Sequence, residues 1–214
     1  MNTVLYWFSG TGNSLHVARF IDTLAPGDAY VFVVMTYGGA PGSAAGITRK
    51  MLRRRGIEPA AIYGVQMVEN YPPLGGAPPE EKQRQLLDEG ERRIGEIVES
   101  LKASPRGHVD RARPLFRLLG RLAYPLFRWG LKRSDRKFTA DDKCNSCGVC
   151  VKVCPIENIE LADGRPRWLG RCEQCYACFH LCPQSAVQRG RKTAEQVRYH
   201  HPAVTPKDFM FRGE

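Results

Sequence analysis

Eight cysteines, all that the 214-residue chain contains, fall into two copies of one pattern. Cys144, Cys147, Cys150 and Cys154 precede Pro155; Cys172, Cys175, Cys178 and Cys182 precede Pro183. Each copy reads C-x₂-C-x₂-C-x₃-C-P, and the second repeats the first after 28 residues. Two-residue gaps wrap the backbone around one corner of a four-iron cube, so three thiolates reach three irons of the same cluster. The fourth cysteine, three residues on and followed by proline, points away and ligates the other cluster. The spacing therefore assigns Cys144, Cys147, Cys150 and Cys182 to one [4Fe–4S] centre, and Cys172, Cys175, Cys178 and Cys154 to a second.

Other thiol chemistries fit this pattern less well. Structural zinc takes four ligands in a tetrahedron, usually from two C-x₂-C pairs set far apart. Three cysteines within seven residues, repeated with the same x₃-C-P tail, are a different arrangement. A disulfide framework belongs to secreted chains, and the first residues show neither a basic n-region nor an apolar h-region. His180 lies inside the second motif but is expected to neighbour a cluster, because four thiolates already fill each one. His200 and His201 are adjacent and so diverge, which suits a docked tail better than a shared metal.

The elements that must position these groups read as alternating strand and helix before the cysteines. Residues 3–8 form a short apolar strand, and Ser9, Gly10, Thr11, Gly12, Asn13 and Ser14 lead into a helix bearing Leu15, Ala18 and Ile21. Residues 29–35 form a continuous apolar strand of the kind buried on both faces of a parallel sheet. Thr36, Tyr37, Gly38 and Gly39 make the loop after it. A helix over 44–55, a strand over 61–68 and an amphipathic helix over 80–102 follow, the last with Leu87, Ile94, Ile97, Val98 and Leu101 on one face. This order predicts a parallel α/β sheet. Residues 105–138 read as a helical connector in which Pro114 starts a helix and Pro125 ends or kinks it. Leu115, Leu118, Leu119 and Leu122 share one face of that helix and are expected to pack as a buried stripe.

A Gly/Ser/Thr loop between strand and helix is an anion site. Its glycines let the backbone approach, successive N–H groups converge, and the helix N-terminus faces the phosphate. Tyr6, Trp7 and Phe8 followed by Ser9 to Ser14 resemble the flavodoxin FMN-phosphate loop. With the cysteine block and Arg198-Tyr199-His200-His201-Pro202, the chain resembles the bacterial ferrodoxin family, which fuses a flavodoxin-like domain to a two-cluster ferredoxin. The likeness is most specific over residues 137–202. It implies FMN, with Ser9, Gly10, Thr11, Gly12, Asn13 and Ser14 around the phosphate and Thr36, Tyr37, Gly38 and Gly39 beside the flavin ring. Flavodoxin-like sheets have five strands in the order 2-1-3-4-5, whereas this sequence presents three. The fold expected is a shortened flavodoxin-like α/β parallel sheet plus a small α+β two-cluster bacterial ferredoxin domain. The divisions expected are 1–104, a basic linker 105–138, the ferredoxin domain 139–190, and a tail 191–214.

The net charge of +10 is concentrated in one place. Residues 1–110 and 140–190 are balanced, whereas 111–139 hold nine basic residues and one acidic. Two clusters on eight thiolates would also remove about four charges from the holoprotein. A nucleic-acid partner is therefore not expected. The basic segment suits docking to an acidic redox protein, donor or acceptor, or to an anionic membrane surface. No apolar run approaches the ~20 residues that span a bilayer, and reduced thiols without a signal segment place the chain in the cytoplasm. Nothing pairs a nucleophile with a base, so an electron carrier is expected rather than an enzyme. One rival keeps the clusters but makes the N-terminal domain a flavin-free docking module. Another is a zinc protein that binds nucleic acid through residues 111–139.

Overall fold

The computed structural model describes residues 30–131 and 134–209. The expected strand over 3–8, the phosphate loop Ser9 to Ser14 and the helix after it lie outside those residues. Two compact units divide the chain. Among the described residues, the first holds 30–69 and 78–125, and the second holds 70–77 and the chain from 126 onward.

The first unit is a parallel α/β layer. Strand β1 (Phe32–Tyr37), helix α1 (Ala44–Arg53), strand β2 (Ala61–Gln66), helix α2 (Glu80–Lys102) and strand β3 (His108–Val109) follow one another. The described sheet has the order β1-β2-β3 and is parallel throughout, with Phe32 opposite Ala61 and Ala61 opposite His108. The apolar run of residues 29–35 begins its strand three residues later than its composition suggests. Thr36 and Tyr37, expected in a loop, pair with Val65 and Gln66. That strand is half-buried along its length rather than buried on both faces; β2, between two neighbours, is the buried one.

Alternation along β2 sets the core. Ala61, Tyr63, Val65 and Met67 point to one face and meet Ile94, Ile97 and Leu101 of α2. Leu86, not Leu87, is the buried residue two turns before Ile94, so the helical stripe runs through Leu86, Gly90, Ile94, Ile97 and Leu101. Gly90 sits where helix and strand come closest: a Cβ there would meet Met67 Sδ at 2.9 Å and the Gln66 carbonyl at 3.3 Å. Strand β3 is only two residues long, and Asp110 prolongs it with a side chain. Its carboxylate accepts the Gly64 N–H at 2.9 Å and the Arg93 guanidinium at 2.6 Å. Two residues carry too little periodicity to be seen in sequence, so this strand was not expected inside 105–138.

Helix α3 (Pro114–Leu131) contains Pro125 within it. Pro125, expected to end or kink the helix, does not end it: the helix continues for six residues past it. The expected burial of the leucine stripe is also corrected. Leu115, Leu118, Leu119 and Leu122 are 63%, 55%, 52% and 68% exposed. Periodicity reports that a helix has an apolar face, not that anything covers it.

The second unit is built from two copies of one backbone path. Strand β4 (Phe138–Ala140), helix α4 (Val149–Lys152) and strand β5 (Ile159–Ala162) make the first copy. Strand β6 (Arg165–Trp168), helix α5 (Ala177–His180) and strand β7 (Val187–Arg189) make the second. The strands pair across copies: β4 with β7 and β5 with β6, both antiparallel. Left-handed backbone recurs at the same places, Ser146 with Gln174, Gly148 with Tyr176 and Glu157 with Ser185. Only one of these six is glycine. Five of the six therefore hold this path without glycine's freedom.

Candidate iron–sulfur site

Each cysteine motif is folded by the same local bonds. Gly148 and Tyr176, both left-handed, start the short helices α4 and α5, and the carbonyl of each accepts the N–H three and four residues on. That turn carries Cys150 and Cys178 inward, and both are buried. Cys154 and Cys182 each follow two residues after the helix ends. The Asn158 N–H donates to Cys154 Sγ at 3.2 Å, and the Ala186 N–H donates to Cys182 Sγ at 3.3 Å. A third donor, the Gln174 N–H, reaches Cys172 Sγ at 3.3 Å. Backbone N–H groups aimed at sulfur are what stabilises the charge of a thiolate-bound cluster.

One cavity is lined by thiols of both copies. A cavity of about 320 Å³, counting the part open to solvent, is lined by Cys154 of the first motif and by Cys172, Cys175 and Cys178 of the second. Its apolar walls are Phe138, Ile156, Ile159, Trp168 and Tyr176. Burial pushes the Cys175 thiol up to about 12, with the negative charges of Cys154 and Cys172 adding to the rise. Burial pushes the Cys150 thiol up to about 11, and the thiols that add to it are Cys182, Cys147 and Cys144. Cys178 is raised first by burial and then by Cys175, Cys172, Cys150 and Cys154, thiols of both motifs. Among the described residues, no three His, Cys, Asp or Glu side chains are set to hold a single ion. Four thiols around an apolar hollow, with N–H donors to three sulfurs across the two motifs, fit a multi-iron cluster in their donor chemistry.

The two groups differ in exposure. Cys147 is exposed and Cys144 half-exposed, whereas Cys154 and Cys178 are buried. His180 is not available as a ligand. Its Nε2 bonds the Asn70 carbonyl at 2.8 Å, and its Nδ1 accepts the Tyr199 N–H at 3.1 Å. Burial, with smaller contributions from Arg198 and His200, lowers its pKa to about 4 although the Asn70 carbonyl opposes this, so the ring is neutral.

Arg198 is the functional candidate whose part sequence reasoning did not define, beyond placing it in a docked tail. Its guanidinium lies 3.4 Å from the Phe179 ring centroid and donates to the carbonyls of Phe179, Val187 and Ser185. Burial works against its charge, whereas Cys182, Asp141 and Cys178 favour it. The sole sequence signal was an arginine opening the tail motif.

The loop expected beside a flavin ring is divided. Thr36 and Tyr37 are strand residues, and Gly38 and Gly39 leave the carboxyl end of β1. The Gly38 carbonyl accepts the Gln66 side-chain amide at 2.9 Å, and the Glu69 side chain occupies the space in which a Cβ on Gly38 would stand. Ser9, Gly10, Thr11, Gly12, Asn13 and Ser14 are outside the described residues.

Comparison with known proteins bears on the cysteine block. Residues 143–187 match the family model of the 4Fe-4S dicluster domain, a match that does not reach residues 1–104. A ferredoxin of Pyrobaculum islandicum is 29% identical over 70 residues, which make up 32% of this chain and 65% of that protein. The similarity thus spans less than two-thirds of that relative's length. No solved structure matches. With the geometry above, these similarities identify residues 143–187 as a 4Fe–4S dicluster domain of the ferredoxin type.

Proposed function

We propose that this protein is an electron carrier with two [4Fe–4S] clusters. Cys144, Cys147, Cys150 and Cys182 would hold one cluster, and Cys172, Cys175, Cys178 and Cys154 the other. The observation that carries this reading is the cavity ringed by Cys154 and the three later cysteines, a set no single motif could supply. Each cluster, when bound, supplies a reversible one-electron store. The chain's own residues set its terms: N–H groups of Asn158, Gln174 and Ala186 stabilise sulfur charge, and Phe138, Ile159, Trp168 and Tyr176 keep water from the inner group. Exposed Cys147 makes the first group the place where a redox protein would dock and exchange electrons.

The flavin half of the reading rests on the resemblance of Ser9 to Ser14 to a phosphate loop. With FMN, the protein would relay between a two-electron donor and one-electron carriers. A second reading, a flavin-free N-terminal unit, is favoured by Glu69, whose carboxylate fills the space against Gly38. Iron, sulfide and flavin analysis of anaerobically purified protein tests both. About eight irons and eight sulfides per chain are expected, and released FMN separates the relay from the flavin-free carrier. Zinc in place of iron would overturn the proposal altogether.

A further inference from the structure

Helix α3 approaches the turn before α1 through Gly120 and the Phe116 carbonyl. The tightest approach is at Gly120, where a Cβ would come within 3.1 Å of the Ser43 N–H nitrogen and 3.4 Å of Gly42 Cα. At 100° per residue, the stripe of Leu115, Leu118, Leu119 and Leu122 faces away from Gly120 by more than a quarter turn. All four leucines are more than half exposed, and Leu119 is the least so. Arg117 and Arg121 are also exposed and lie on the flank between that contact and the stripe's far edge. No acidic residue falls between 111 and 131, while Arg111, Arg113, Arg117, Arg121 and Arg128 do.

We propose that the first three turns of α3 are a membrane-surface anchor that lies in the plane of an anionic bilayer. The leucine stripe would sink into the acyl boundary while Arg117 and Arg121 reach phosphate headgroups. An in-plane helix with an unbroken apolar stripe and arginines on its polar face is the chemistry that binds such a surface. Among the described residues no helix is long and apolar enough to cross a membrane, which leaves the interface as the depth available to α3. An acidic protein partner would use the arginines but would leave four aligned leucines without a role. The positive charge complements anionic lipid, and the rest of the chain is near balance, so the attraction is local to this helix.

Cosedimentation of the full holoprotein with vesicles tests this. Phosphatidylcholine vesicles containing a third phosphatidylglycerol should bind it, pure phosphatidylcholine vesicles should bind it far less, and salt should weaken binding. Leu118→Gln with Leu122→Gln should weaken binding by more than about tenfold. Arg117→Gln with Arg121→Gln should weaken it by roughly fivefold per residue on the anionic vesicles alone. Because these side chains are exposed, cluster absorbance should match wild type. Amide exchange in wild type adds a measurement free of substitution: residues 115–122 should be slowed by anionic vesicles. Three results would each overturn the proposal. One is no vesicle binding by wild type, including a concentration-dependent dimer abolished by the leucine changes. Another is binding that the leucine changes leave intact. The last is vesicle binding without protection of 115–122.

Discussion

Crossed ligation makes a non-additive pattern that uncrossed ligation cannot imitate. Cys154 stands at the wall of the cavity formed by Cys172, Cys175 and Cys178 although it lies 18 residues before the first of them. Replacing it with serine removes one of four thiolates from that centre, together with the sulfur that accepts the Asn158 N–H. If each centre holds four irons, a destabilised centre costs about four of eight irons per chain. Cys154→Ser combined with Cys175→Ser should lose no more than about four, because both changes strike one centre. Cys154→Ser combined with Cys147→Ser should lose about eight. Under uncrossed ligation the two double variants exchange outcomes. Iron and sulfide analysis under anaerobic conditions reads the counts, and paramagnetic resonance of the reduced single variants reads which centre remains. Equal iron loss in the two double variants would refute the assignment of Cys154.

Other expectations follow from particular contacts. Arg198 places a positive charge near Cys178 and Cys182, so Arg198→Gln should lower the reduction potential of the adjoining centre by tens of millivolts, about 60 mV corresponding to 1.4 kcal/mol for one electron. Arg198→Lys should recover part of that shift in a redox titration, and a potential unmoved by Gln would show that the arginine acts only on packing. Burial alone would raise the Asp110 carboxyl, but the Gly64 N–H, Arg93 and His108 hold it below the ordinary range. A depressed carboxyl stabilises the native state above about pH 3.9 and loses that contribution as pH falls through its native value. Asp110→Asn should therefore cost about 1 kcal/mol at neutral pH, read by amide exchange in β2, with the difference from wild type fading below about pH 4. Within α2, Gly95 has nothing within 4 Å of its Cβ position, so Gly95→Ala should raise the thermal midpoint by the equivalent of about 1 kcal/mol. Gly90→Ala should lower it, because the same gain is outweighed by crowding Met67 and the rigid Gln66 carbonyl, at about 1–3 kcal/mol.

Sequence reading succeeded where chemistry is local. The cysteine repeat, the presence of a strand through Tyr63 and Val65, and the stripe through Ile94 and Ile97 all follow from short-range spacing. It failed where an outcome depends on a distant partner. Two residues at His108 and Val109 become a strand only because β2 lies beside them and Asp110 reaches back to Gly64. The α3 leucines show a helical period whether or not anything covers them. Pro125 forgoes one helical hydrogen bond, and the helix on either side tolerates that cost. The left-handed backbone at Gln174, Tyr176 and Ser185 gave no signal of its own, since none of those residues favours it as glycine does.

Pairing of β4 with β7 has a consequence for how the protein is made. The first strand of the cysteine-bearing unit waits for the last, nearly fifty residues later in synthesis. Under the crossed assignment, the centre whose ligands leave the ribosome first, at Cys144, is also the last to be completed, at Cys182. The other centre has its full set once Cys178 emerges. A nascent chain released between the two motifs would present four cysteines that cannot complete either centre. Under that assignment cluster insertion would wait for the second motif, and a product ending between the motifs would hold a full ligand set for neither centre.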